Sequence, residues 1–180
     1  MSSPGTNGEE DSSSPLPSLS PYPTFLRKLT RKNNWDNPLR DCDPQKASKV
    51  FVGTDNVTSV YLVHDDIELR RIAVAMNQYR GSMTEKVDLL PIRPSELDEI
   101  GVLPQQTPSD LSCNLAKKLH HDLELDEQAA VALSRVLIEA QREVTRWTTG
   151  SVSKALTVSR EEGCFSVNPE SRSCACGGQR

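Results

Sequence analysis

The sequence predicts an α+β fold, a small single domain whose strand pairs and helix pairs are grouped along the chain. Three observations carry this. Residues 50–52, Val57–Val63 and Val87–Ile92 are β-branched or aromatic-rich runs of strand length. Elsewhere apolar residues recur every three or four positions, as on amphipathic helices. No regular strand–helix–strand alternation links the two kinds of segment, which argues against a parallel sheet.

Composition bounds the rest. Of 180 residues, 36% are hydrophobic and 4% aromatic, low for a fully packed globule, and the deficit is concentrated in the Ser/Pro/Gly-rich first 24. Without the tails roughly 120 residues remain, enough for one modest core. A net charge of −4 and a pI near 5.4 argue against non-specific nucleic-acid binding, which needs concentrated positive charge. No apolar run approaches the ~18 residues that span a bilayer, and the start lacks a basic, then apolar, secretory pattern. The expectation is a cytoplasmic protein with no membrane association, its five cysteines reduced.

Taken in order, residues 1–47 read as a disordered arm. Within it, residues 22–35 form an amphipathic basic motif. Phe25, Leu26, Leu29 and Trp35 are interleaved with Arg27, Lys28, Arg31 and Lys32. One helical turn of this spacing has an apolar face. Aromatic and Arg residues are common interface anchors, so these eight residues are the expected partner-binding set.

The domain is expected over 48–168. Residues 50–52 and Val57–Val63 make a β-hairpin across Gly53-Thr54-Asp55-Asn56. Asp65 and Glu68 have capping-box spacing and start a helix with Leu69, Ile72, Met76 and Tyr79 inward and Gly81 as its stop. Val87–Ile92 is a short third strand, and Pro91, lacking an N–H, puts it or its end at an edge. Residues 95–100 form a short helix closed by Gly101.

Thr107-Pro108 starts a further helix, with Leu111, Leu115, Leu119 and Leu123 on its stripe. It leads directly into a long amphipathic helix over 126–150. Asp126 caps that helix, and Ala130, Leu133, Leu137, Ala140, Val144 and Trp147 line its apolar face. The two form an αα-hairpin. Residues 155–158 and 164–167 suggest a C-terminal hairpin, and 169–180 is a flexible Cys/Gly-containing tail.

Candidate sites are sparse. Cys164, Cys174 and Cys176 could supply thiolates to zinc, but the C-x-x-C spacing is absent and a simple tail is the better account. On one helix, Cys113 would lie about 10 Å from His120 or His121, too far for a nucleophile–base pair. His64-Asp65-Asp66 offers an imidazole beside carboxylates, yet Asp65 already serves as a cap. No phosphate loop, nucleophile elbow or His-Glu-x-x-His element occurs.

The resulting expectation is a non-enzymatic adaptor or regulatory protein that binds a protein partner and needs no cofactor. One alternative is a DNA-binding regulator using the αα-hairpin and basic arm, although the mixed charge of the long helix disfavours nucleic acid. The other is an enzyme whose site is assembled from residues far apart in sequence. Homo-oligomerisation would use the long helix.

Overall fold

A computed structural model describes residues 15–30, 35–78, 86–111 and 113–165. They form an α+β fold around one antiparallel sheet of six strands, in the order β4-β5-β2-β1-β3-β6. In chain order the strands are β1 (Thr24–Leu29), β2 (Val57–Val63), β3 (Val87–Ile92), β4 (Gln105–Gln106), β5 (His120–Glu124) and β6 (Thr145–Trp147). The helices are α1 (Asp36–Asp41), α2 (Pro44–Ala47), α3 (Asp66–Gln78), α4 (Pro94–Glu99), α5 (Asn114–Leu119), α6 (Glu127–Glu139) and α7 (Thr149–Glu161).

Both faces of the sheet are covered. Leu26, Tyr61, Val63, Leu89 and Trp147 face one side and pack with α3, α5 and α7. Phe25, Val60, Leu90, Ile92 and Leu123 face the other and pack with Phe51, Trp35, α4 and α6. This split follows the period-two alternation of strand side chains.

The largest correction concerns the N-terminal segment. Residues 24–29 are not part of a disordered arm but the central strand β1, paired with β2 on one side and β3 on the other. Phe25 and Leu29 lie in one core, Leu26 lies in the other, and Trp35 is 1% exposed. The domain therefore starts well before residue 48. A strand buried on both faces shows no clean polar–apolar alternation, which is why a helical turn fitted it as well. Its two basic residues reach carbonyl groups: Lys28 Nζ donates to Met76 O in the last turn of α3 at 2.8 Å. Residues 15–23 form a strap, with Leu16, Leu19 and Tyr22 packed against the α3-side core. Arg31 and Lys32 fall outside the described residues, as do residues 1–14 and 169–180.

The expected hairpin at 50–52 is replaced by a helical turn, Ser48–Val50, that buries Val50 and Phe51. Gly53 follows where a Cβ would overlap the Val57 carbonyl oxygen, so the chain turns tightly into β2. Asp65 does cap α3, accepting from Glu68 N at 2.8 Å. Pro91 pairs with Leu26 of β1, while β6 covers only Val87 to Leu89. Among the described residues no strand pairs with that edge of β3 beyond Leu89, in keeping with the missing N–H of Pro91.

The αα-hairpin does not form. Its first helix is cut to α5, and residues 120–124 become β5. The long helix ends at Glu139, and Gln141 takes a φ of +50°. Val144 and Thr145 then lead into β6, where Trp147 lies opposite Val87. Gly150 sits inside α7 rather than ending a helix, and Thr148 caps it by accepting from Ser151 N at 3.1 Å. The expected C-terminal hairpin is corrected too: Val152, Ala155, Leu156 and Ser159 are buried at helical spacing along α7. The apolar stripe of α6 is spent on the protein's own sheet, so the basis for dimerising through a long helix is gone.

Candidate functional site: a polar cleft where two central strands part

β1 and β2 begin as neighbours and then separate. Thr24, Phe25 and Leu26 pair with Val63, Leu62 and Tyr61. Beyond that point β1 continues beside β3 as far as Leu29, and β2 lies beside β5 from Val57 onward. No ladder pair joins the two strands across the resulting fork. Arg27 bridges it instead, with Nη1 donating to Ser59 O at 3.2 Å and Nε to Val50 O at 3.3 Å. Burial lowers the basicity of its guanidinium from the ordinary value, and the Tyr61 phenol opposes that shift. It remains a cation, since Arg keeps its proton at any physiological pH.

The fork opens into a cleft of about 490 Å³, within the size range of small-molecule sites. Its floor is a polar patch on one sheet face. Ser59 and Tyr61 of β2 lie opposite Asp122 and His120 of β5 in register, so alternation turns all four side chains to the α3 side. Lys28 reaches the same face from β1. The segment 107–111 closes one wall, held by Ser109 Oγ, which lies 3.1 Å from the Tyr61 hydroxyl and accepts from Leu111 N.

The hydrogen bonds have a definite direction. His120 Nδ1 lies 3.1 Å from Thr107 O and 2.9 Å from Thr107 Oγ1. A carbonyl can only accept, so Nδ1 carries the proton, and in the neutral ring Nε2 keeps its lone pair. The Thr107 hydroxyl donates to Asp122 Oδ2 at 2.8 Å, and the Ser59 hydroxyl to Oδ1 at 3.1 Å. His120 is 6% exposed and meets the Tyr61 ring edge-on at 5.1 Å, which fixes its plane. Its Nε2 lies 3.8 Å from Asp122 Oδ1.

No known family, curated protein or solved structure matches this chain.

Of the residues singled out in the sequence, the structure brings Arg27, Lys28 and His120 to the cleft. Phe25, Leu26, Leu29 and Trp35 are interior residues and present nothing to a partner. His121 points to the opposite sheet face, edge-on to Phe25 at 5.5 Å. Of the trio His64-Asp65-Asp66, His64 bonds Glu68 at 2.9 Å, Asp65 caps α3, and Asp66 accepts from Ser18 and Tyr22 of the strap, so each has a structural partner. Cys113 and Cys164 are buried, and burial raises both thiols above their ordinary range, the reverse of what a reactive thiolate needs. Cys174 and Cys176 lie outside the described residues. Among the described residues no three His, Cys, Asp or Glu side chains are grouped to hold a metal, and no helix is long and apolar enough to cross a membrane.

Ser59, Tyr61, Thr107, Ser109 and Asp122 were not singled out by sequence reasoning. A signal existed in residues 120–125, where His120, Asp122 and Glu124 alternate with His121, Leu123 and Leu125 at the period of a strand.

Proposed function

We propose that the protein binds a small polar metabolite in the cleft between β1 and β2, with an acidic group of the ligand seated at Arg27 and Lys28. One observation carries this reading. Ser59, Tyr61, His120 and Asp122 lie side by side on one sheet face, in register across β2 and β5, and line the cleft. Convergent polar groups lining a cavity of this size are what a small-molecule site presents. The apolar anchors expected of an arm-mediated adaptor are buried, Phe25, Leu26 and Leu29 in β1 and Trp35 at the start of α1. A partner-docking role would have to use another surface, such as the one around Leu103, 76% exposed beside the edge strand β4.

The test is an NMR titration of the full chain with short carboxylates and phosphates, with neutral amides and alcohols as controls. Acids are expected to perturb Ser59, Tyr61 and His120 selectively. Lys28→Gln should weaken that binding about tenfold, equivalent to about 1.4 kcal/mol. Shifts scattered over the surface, or an unchanged affinity in Lys28→Gln, would remove the proposal.

A further inference from the structure

The cleft is polarised, and its polarity says more about the ligand than its size does. Lys28 projects from β1 onto the cleft face and Arg27, which leaves β1 on the face of Phe25 and Leu29, reaches the cleft through the fork, while Asp122 lies on the β5 side with Asp110 at the wall. The described lining is therefore formally neutral, with its cations on β1 and its carboxylates on β5 and the 107–111 wall. A simple anion drawn to the cations would also face Asp122, and a simple cation would face Arg27 and Lys28. Charges arranged in this way favour a ligand that carries both signs over one that carries either alone.

The β5 side is short of donors. Asp122 receives hydroxyl hydrogens from Ser59 and Thr107. These are neutral partners, and a carboxylate with a quarter of its side chain exposed to a cleft still favours a cation. His120 Nε2, an acceptor whenever the ring is neutral, lies 3.8 Å from Oδ1 of that carboxylate. A single nitrogen at about 2.9 Å from each atom can bridge two acceptors at that separation. An ammonium group supplies the donors and the charge together. A hydroxyl supplies one donor and no charge.

We infer that the ligand is a zwitterion of the amino-acid type, its ammonium held between Asp122 Oδ1 and His120 Nε2 and its acid group held at Arg27 and Lys28. This rests on the cleft being the ligand site, as proposed above. Thr107 acts as a positioning residue. Its carbonyl and hydroxyl fix the His120 tautomer, and its hydroxyl also orients Asp122, so one side chain aligns both acceptors.

The experiment compares matched probes on the full chain by NMR titration. The zwitterions are glycine, 3-aminopropanoate and 4-aminobutanoate. The controls are the carboxylates and alkylamines of the same carbon number. The best zwitterion is expected to bind at least tenfold tighter than its matched acid and its matched amine. In Asp122→Asn that margin should vanish while weak acid binding persists. His120→Gln, measured in parallel so that the result does not hang on one variant's folding, should narrow the margin. Equal binding of acids and zwitterions to the unaltered chain would overturn this inference and leave the acid-binding cleft standing. A margin that survives both substitutions would overturn the assignment to Asp122 and His120. If none of the probes, acids included, perturbs the cleft residues, both readings fail.

Discussion

Trp35 donates its indole N–H to the carbonyl oxygen of Arg142 at 2.7 Å, joining positions 107 residues apart. The ring also meets Phe51 edge-on at 6.1 Å and is almost wholly buried. The turn after α6 is thereby tied to the segment that follows β1. The first strand and its flank are structural members of the domain, with consequences that stability measurements can read.

Leu26 is fully buried, on the central strand. Leu26→Ala is expected to destabilise the protein by about 2–5 kcal/mol, as core truncations do. Amides of Phe25 and Leu26, in the part of β1 paired on both sides, should exchange only through global opening. Denaturant unfolding and hydrogen exchange on the free protein check both. Fast exchange of these amides would show that β1 is not a permanent part of the sheet.

Glu96 is buried, and its two oxygens have different tasks. Oε2 accepts from Arg93 N at 2.7 Å at the start of α4, and Oε1 accepts from Arg142 Nε at 3.0 Å. Arg142→Ala leaves the backbone carbonyl that Trp35 uses but strands the carboxylate. The expected loss is about 3–5 kcal/mol, the usual cost of breaking one side of a buried pair. Adding Glu96→Gln should recover part of it. A double-mutant cycle with no coupling would contradict the pairing.

Asp66 links the N-terminal strap to α3. The Tyr22 hydroxyl, and then that of Ser18, hold its carboxyl below the ordinary carboxylate range. A depressed folded-state pKa contributes stability that is present above the unfolded value, about 3.9, and is lost as pH falls through the folded value. Tyr22→Phe removes the leading cause. Its melting temperature should therefore fall below that of the unaltered chain at pH 6, with the gap closing toward pH 2. Because Asp66 is exposed, the effect is expected to be small. A gap that is constant with pH would show that Tyr22 acts through packing alone.

Much of the fold was legible in local pattern. β2 and β3 lie close to where β-branched runs put them, α3 starts at the Asp65 cap while its expected stop at Gly81 is outside the described residues, and α4 ends before Gly101. What failed did so because tertiary pairing overrode local spacing. Phe25, Leu26 and Leu29 fit a helical turn until strands arrive on both sides. Val144 and Trp147 continue the stripe of α6 by coincidence of spacing, but their chain reverses after Gln141 and pairs with β3. Val152 to Ser159 had helical spacing that a hairpin reading passed over.

The cleft was illegible for another reason. Ser59 and Asp122 are 63 residues apart, and only the register between β2 and β5 places them together. Neither local stretch holds a complete constellation. His120 was visible as one of a pair at a helix end, but its geometry depends on Thr107 and Tyr61, which spacing alone could not bring to it.

The order of strands also has a temporal meaning. β1, made first of the six, lies in the interior of the sheet. β2 and β3 flank it, β5 adds outside β2, and β6 adds outside β3. Apart from β1, which comes first, and β4, which waits for β5, each strand leaving the ribosome finds its template already made. A chain that has emerged only through Ile92 can assemble β2-β1-β3 as a three-stranded core with both edges open. Such edges invite pairing with other chains. The period between synthesis of β3 and arrival of β5 and β6 is then when nascent chains of this protein are most exposed to misassociation, and when a chaperone would have the most to protect.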